Sequence, residues 1–145
     1  MRDPAGYVKV IPAMTERSFT IEEANSQLLW LEATFDRLDL LREELTTRHA
    51  NLLELFRQRS GNGAASKDHE VLGQQETVEG LTQQLRREMQ EITEMGIIAR
   101  DMERGLVDFP SHREGRDILL CWVRGEKSIG FWHGTNEGFA SRKRL

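Results

Sequence analysis

The sequence predicts an α+β protein: a long antiparallel two-helix hairpin, coiled-coil-like, followed by a small antiparallel β-sheet of three or four strands. Three observations carry this. A helix-start signal at Thr20–Glu23 opens an apolar stripe with steps of three and four residues. A second apolar run repeats every seven residues from Val71 to Ile92. After Gly105, short apolar runs alternate with turn residues, which is the pattern of paired strands.

The first helix begins at a capping box, in which Thr20 accepts from the Glu23 amide and Glu23 reaches back. Glu22 and Glu23 complement the positive end of the helix dipole. Ala24, Leu28, Leu31, Phe35, Leu38, Leu41, Leu45, Leu52 and Phe56 then form one stripe running to about Arg59. Leu29, Trp30, Leu40, Leu53 and Leu55 widen it beyond a bare two-stranded seam. A helix about 60 Å long, at about 1.5 Å per residue, needs an equally long cover.

Ser60 to Ser66 is small, polar and glycine-bearing, which breaks the helix. The second helix carries Val71, Val78, Leu85 and Ile92, with Leu81, Met89 and Met95 between them. A short connection makes it antiparallel to the first. Gly96 suits the left-handed residue that ends a helix.

Beyond it, Ile97–Arg100 reads as a short strand, Leu106–Phe109 as a second ended by Pro110, and Arg116–Val123 as a third. A turn at Arg124–Glu126 leads to a fourth, Ser128–His133. The organisation expected is an extended, flexible segment over 1–18, a helical hairpin over 19–99 with its loop near 60–67, and a β tail over 100–145 packed on the helices.

Composition limits the function classes. With 38% hydrophobic and 30% charged residues the chain suits long solvated helices, and its net charge of −4 does not favour nucleic acid. Residues 1–99 hold 11 basic and 17 acidic side chains, net −6, whereas residues 100–145 hold 9 and 7, net +2. The basic end, Arg142-Lys143-Arg144, reads as a solvated, frayed terminus, with an anion or RNA contact as the minor alternative. One cysteine excludes an intramolecular disulfide and suits a reducing compartment. No apolar run approaches the roughly 20 residues of a membrane span, and no secretory signal is evident, so a cytoplasmic location is expected.

Phe19-Thr20-Ile21-Glu22-Glu23-Ala24-Asn25 at a helix start is followed by Arg104-Gly105-Leu106-Val107-Asp108-Phe109-Pro110. Then come Leu120-Cys121-Trp122, Gly125-Glu126, Trp132-His133, Gly138-Phe139 and Arg142. This ordered series resembles the bacterial uncharacterised family DUF2203, over about residues 18–145. The resemblance implies a helical hairpin plus this tail, and it implies no activity, cofactor or catalytic residue.

The chemistry-bearing residues gather in the tail. A two-residue turn at Gly125-Glu126 would place Ile118 opposite His133, and a five-residue loop after Pro110 would place Asp108 opposite Ile118. Asp108 and His133 would then share one sheet face, flanking the central strand. A carboxylate orienting an imidazole is an acid/base unit, or a metal ligand with its supporting partner. Candidates for a catalytic role are therefore Asp108, Arg116 and His133, and for a metal Cys121, His133, His112 and Asp108, a zinc-like set. No motif names a cofactor. Each residue also has a plain reading: Cys121 as a small buried hydrophobe, His133 as a structural hydrogen-bonding group, Arg116 as an ion-pair partner.

Two functions from different classes follow. One is a homodimeric interaction or assembly module, its helices pairing into a four-helix bundle and its tail docking a protein partner. The other is a small metal- or ligand-binding protein or enzyme at the β tail. They are separated by whether the polar groups converge in a pocket or disperse into structural pairs.

Overall fold

A computed structural model of the chain describes residues 17–59 and 64–145. The extended segment expected at the N-terminus lies outside these residues except for its last two, as do residues 60–63 of the inter-helix break. Helices precede a five-stranded, wholly antiparallel sheet, so the class is α+β. The elements are α1 (Ile21–Ser26), α2 (Leu28–Arg59), α3 (Ala64–Glu94), β1 (Ile98–Asp101), β2 (Leu106–Arg113), β3 (Arg116–Val123), β4 (Phe131–Gly134) and β5 (Lys143–Arg144). The strands lie side by side in chain order. No helix among the described residues is long and apolar enough to cross a membrane.

By its contacts the chain divides into two compact units, one taking the chain up to Phe35 together with Glu91–Leu145, the other Asp36–Gln90. In the first, Thr20 caps α1 as its sequence dictates, its hydroxyl accepting from the Glu23 amide at 3.0 Å. The helix is interrupted at Gln27 and resumes as α2. Ala24, Leu28, Leu31 and Phe35 of the predicted stripe are buried. The C-terminus of α3 closes on Gly96 at φ 84, with Gly96 N–H donating to the Thr93 carbonyl at 2.9 Å and Ile97 N–H to that of Ile92 at 3.3 Å. This is the double bond pattern of a Schellman cap, and the two isoleucines that accompany it are fully buried.

The sheet corrects the strand boundaries read from the sequence. Pro110 does not end β2, which runs on to Arg113. A proline is tolerated there because β1 pairs no further along β2 than Ile98↔Asp108, which leaves that flank of β2 an edge. The edge is covered from elsewhere: Phe19 N–H donates to the Pro110 carbonyl at 2.7 Å and Ser111 Oγ donates to the Phe19 carbonyl at 2.6 Å. The five-residue loop contracts to Glu114-Gly115, a two-residue turn with both φ angles positive, at 52 and 76. Register follows the shorter turn: Asp108 lies opposite Cys121, not Ile118, and His133 opposite Leu119. The expected strand from Ser128 starts only at Phe131. The basic terminus, rather than fraying, forms β5 against β4, with Phe131↔Arg144 and Trp132↔Lys143.

Alternation along β2 and β3 sorts the sheet into two faces. Val107, Phe109, Leu120 and Trp122 share one and are essentially fully buried. Phe109 meets Phe19 edge-on at 5.1 Å between ring centroids, and Trp122 stacks on Phe35 at 6.5 Å. The Trp122 indole N–H is satisfied by the Glu126 carbonyl at 2.9 Å. The opposite face carries Asp108, Cys121 and His133.

In the second unit, Arg37 of α2 forms a two-pronged ion pair with Glu88 of α3, at 3.1 Å for the closest contact. Leu38 and Leu41 are buried and Leu45 nearly so, but Leu53 and Phe56 farther along the same stripe are 59% and 40% exposed. Phe109→Ala should lower stability by about 3–5 kcal/mol. Leu29→Ala, at a residue 87% exposed, should change it by less than about 0.5 kcal/mol. Equilibrium denaturant titration of both variants checks the contrast.

Candidate functional site

Four adjacent strands each contribute one residue to a single cluster: Arg100 from β1, Asp108 from β2, Cys121 from β3 and His133 from β4. Asp108 and Cys121 are directly paired across β2 and β3, and His133 lies two residues beyond Phe131, the partner of Cys121. All three therefore project from one face, and each is 1% exposed.

The Asp108 carboxylate is the hub. Its Oδ1 lies 3.0 Å from His133 Nε2, and its Oδ2 accepts from Arg100 Nε at 2.7 Å. The other imidazole nitrogen, Nδ1, lies 2.9 Å from the Gly134 carbonyl. A carbonyl only accepts, so Nδ1 carries a hydrogen. That leaves Nε2 as the nitrogen aimed at Asp108. The two are joined either by a hydrogen between Nε2 and Oδ1 or by a cation that both atoms share. The Cys121 thiol is pushed up to about 12, first by burial and then by the negative Asp108 beside it, with Arg142 opposing. The donor atoms of Asp108, Cys121 and His133 all lie within 4.8 Å of one another. Tetrahedral zinc, with bonds of about 2.0–2.3 Å, places its ligands about 3.3–3.8 Å apart.

Beside the cluster is a cavity of about 180 Å³, walled on its other sides by Leu106, Glu137, Gly138 and Phe139. The chain after β4 forms this wall and is pinned in place. Glu137 Oε1 accepts from the Gly134 amide at 2.9 Å and from Lys143 Nζ at 3.1 Å, and these contacts, Lys143 first, hold its carboxyl below the usual range. Arg142 stacks on Phe131 and Phe139 and donates to Glu126 at 2.9 Å. Arg142 and Lys143 each pair with a carboxylate, Glu126 and Glu137. A larger pocket of about 430 Å³, bordered by Ile98, Pro110 and Leu119, also has Arg100 in its wall.

Of the residues nominated from the sequence, Asp108, Cys121 and His133 come together and two do not. Arg116 stands exposed at the β2–β3 turn opposite Arg113, since the short hairpin carries it to the far end of the strand. His112 pairs with Asp117 at 2.7 Å on the surface, with its side chain 62% exposed. The arginine that pairs with Asp108 is Arg100. No local motif marks Arg100; it is the extra residue where the β1–β2 register shifts between Ala99 and Asp101, next to the Ile98↔Asp108 pair.

Burial makes Cys121 chemically quiet: the native protein at pH 8 should resist iodoacetamide, and denaturant should release rapid alkylation. Its raised value also links it to stability. Below about 9, the ordinary thiol value, folded and unfolded chains both hold the proton. Between about 9 and 12 the unfolded chain loses it first, so stability falls as pH rises through that window. Denaturant titrations from pH 8 to 11 should show a steeper decline for the native sequence than for Cys121→Ala.

No curated protein and no solved structure is detectably similar to the chain. The model of one family, described as an uncharacterized conserved protein, matches residues 17–145, which takes in both compact units and every residue of the cluster. The chain belongs to that family, DUF2203.

Proposed function

We propose that this chain is a small metal-binding protein whose centre is formed by Asp108, Cys121 and His133. The observation that carries the reading is the convergence of one oxygen, one sulfur and one nitrogen donor, all buried, within 4.8 Å. That mixture suits zinc or another borderline divalent ion rather than magnesium or calcium. The surroundings are those a metal ligand needs: the second nitrogen of His133 is oriented by the Gly134 carbonyl, and the second oxygen of Asp108 by Arg100. Structural zinc sites have four protein ligands, whereas three residues beside a cavity leave one position for water or a substrate. An enzyme in which the ion acts as a Lewis acid is the natural form of this reading.

The test is a metal titration of protein stripped with chelator, followed by native mass spectrometry and a chromophoric competitor. One zinc per chain is expected to bind. Cys121→Ala, His133→Ala and Asp108→Asn should each weaken binding by more than about 100-fold, since loss of an orienting partner alone costs about 10–100-fold. Failure to bind at one per chain, or variants that bind like the native sequence, would remove the reading.

A second reading has its own support. The expected domain organisation makes residues 19–99 a coiled-coil-like hairpin, and the Arg37–Glu88 pair is compatible with antiparallel helices. Leu53, Phe56, Leu72 and Met89 are 59%, 40%, 54% and 38% exposed, so apolar surface along the helices of the second unit is left without cover. A second copy would bury it in a four-helix bundle, giving a dimeric assembly module able to hold a protein partner. A single free thiol suits the cytoplasm for such a protein. Light scattering at micromolar concentration should give a dimer, and Leu53→Glu with Phe56→Glu a monomer of unchanged helicity. A native monomer with full helicity would end this reading.

A further inference from the structure

We infer that the ligand taken from outside the chain at this centre is the carboxylate of a small organic acid, gripped jointly by the metal ion and Arg100. The inference rests on the metal reading above and goes beyond it to the class of ligand. The first argument is charge. A divalent ion bound to an ionised thiol and an ionised carboxylate is neutral overall. Arg100 then adds a positive charge that Asp108 no longer cancels. Of the other charged groups near the cavity, Glu137 pairs with Lys143 and Arg142 with Glu126, while Arg104 stacks on the Phe139 ring. Positive charge facing the cavity therefore favours an anion there.

The second argument is the geometry of the guanidinium. Arg100 uses only Nε on Asp108 Oδ2, at 2.7 Å. Its two terminal amino groups make no hydrogen bond among the described residues, and the side chain, 44% exposed, lines the cavity. Those terminal groups offer donors in the plane that pairs with two coplanar oxygens, which a carboxylate supplies and a halide does not. The third is size. About 180 Å³ equals about six water molecules at roughly 30 Å³ each, enough for a carboxylate on a short chain. Leu106 and Phe139 give that chain an apolar wall.

Cobalt(II) loaded into the full-length protein serves as the probe, since its thiolate band and visible bands report the ligand set directly. Sodium acetate is then titrated, with chloride and phosphate alongside. The expected result is a thiolate–cobalt band on loading and a saturable shift of the visible bands with acetate, with chloride at least about 10-fold weaker. Loaded with enough cobalt to offset the roughly 10–100-fold weaker metal binding expected when Asp108 loses its orienting partner, Arg100→Gln should show an acetate response weakened by about 10-fold or more, read from the variant's own acetate-free spectrum. Arg100→Lys should restore only part of it, because an ammonium lacks the planar fork.

The outcomes separate the two levels of the argument. Absence of the thiolate–cobalt band overturns the metal reading and this inference with it. A normal band that ignores acetate, or responds equally in Arg100→Gln, overturns this inference and leaves the metal reading standing. Phosphate binding more tightly than acetate overturns the carboxylate assignment. If Arg100→Gln alters the acetate-free spectrum, Arg100→Lys decides, and an acetate response equal to that of the native protein counts against the inference.

Discussion

The Asp108 carboxylate, buried between β1, β3 and β4, is the constraint on which the sheet depends. It holds Arg100 on one oxygen and His133 on the other, so one side chain on β2 ties together strands on both of its flanks. A buried ionisable group with its partners in place is tolerated, whereas removal of one partner typically costs about 3–5 kcal/mol. Slipping β2 by one residue would turn Asp108 toward the face where Phe109 and Trp122 pack on Phe19 and Phe35. There the carboxylate would stand among fully buried apolar side chains, so the slip is penalised beyond the loss of hydrophobic contacts. The polar cluster therefore selects the register as well as occupying it.

The two faces of the sheet do different work because of this. The face of Val107, Phe109, Leu120 and Trp122 is close-packed and apolar, and it fixes the strands. The other is closed by the chain after β4 through polar and aromatic contacts: Glu137 to the Gly134 amide, Arg142 between Phe131 and Phe139, and Lys143 over Trp132. Contacts of this kind can enclose a polar cavity without filling it. A closely packed aliphatic cover would have left no space beside Asp108, Cys121 and His133.

Much of this was legible in the sequence, for reasons that differ by element. The helix start at Thr20 and the stop at Gly96 are local chemistry: the Thr20 hydroxyl accepts from the Glu23 amide, without the return bond from the Glu23 carboxylate that completes a capping box, and Gly96 closes α3 with its two carbonyl bonds. The pairing of Asp108 with His133 was legible for a subtler reason. Both strand registers differ from those the sequence suggests, the β2–β3 pairing by three residues and the β3–β4 pairing by one. Two odd shifts restore the parity, so the two side chains still share a face. The shifts also exchange Ile118 for Cys121 opposite Asp108, which brings the thiol into the cluster. Arg116 is lost from it by the same change, because tightening the turn to Glu114-Gly115 moves Arg116 to the end of the hairpin.

What the sequence concealed depends on long-range pairing. Arg100 and β5 carry no periodic or motif signal; a short strand with an arginine and a basic tail look like solvated chain ends. Both acquire meaning only through neighbours fixed elsewhere, Arg100 through Ile98↔Asp108 and the tail through the aromatic rings of β4. Arg142 shows how such a signal arises: its charge is answered by Glu126, whose own carboxylate also accepts from the Val123 amide at the end of β3. Glu126 thus links the last residue of the strand that carries Cys121 to the segment that closes over it. The cavity is consequently a product of the whole tail, and its chemistry changes if either end of that tail is displaced.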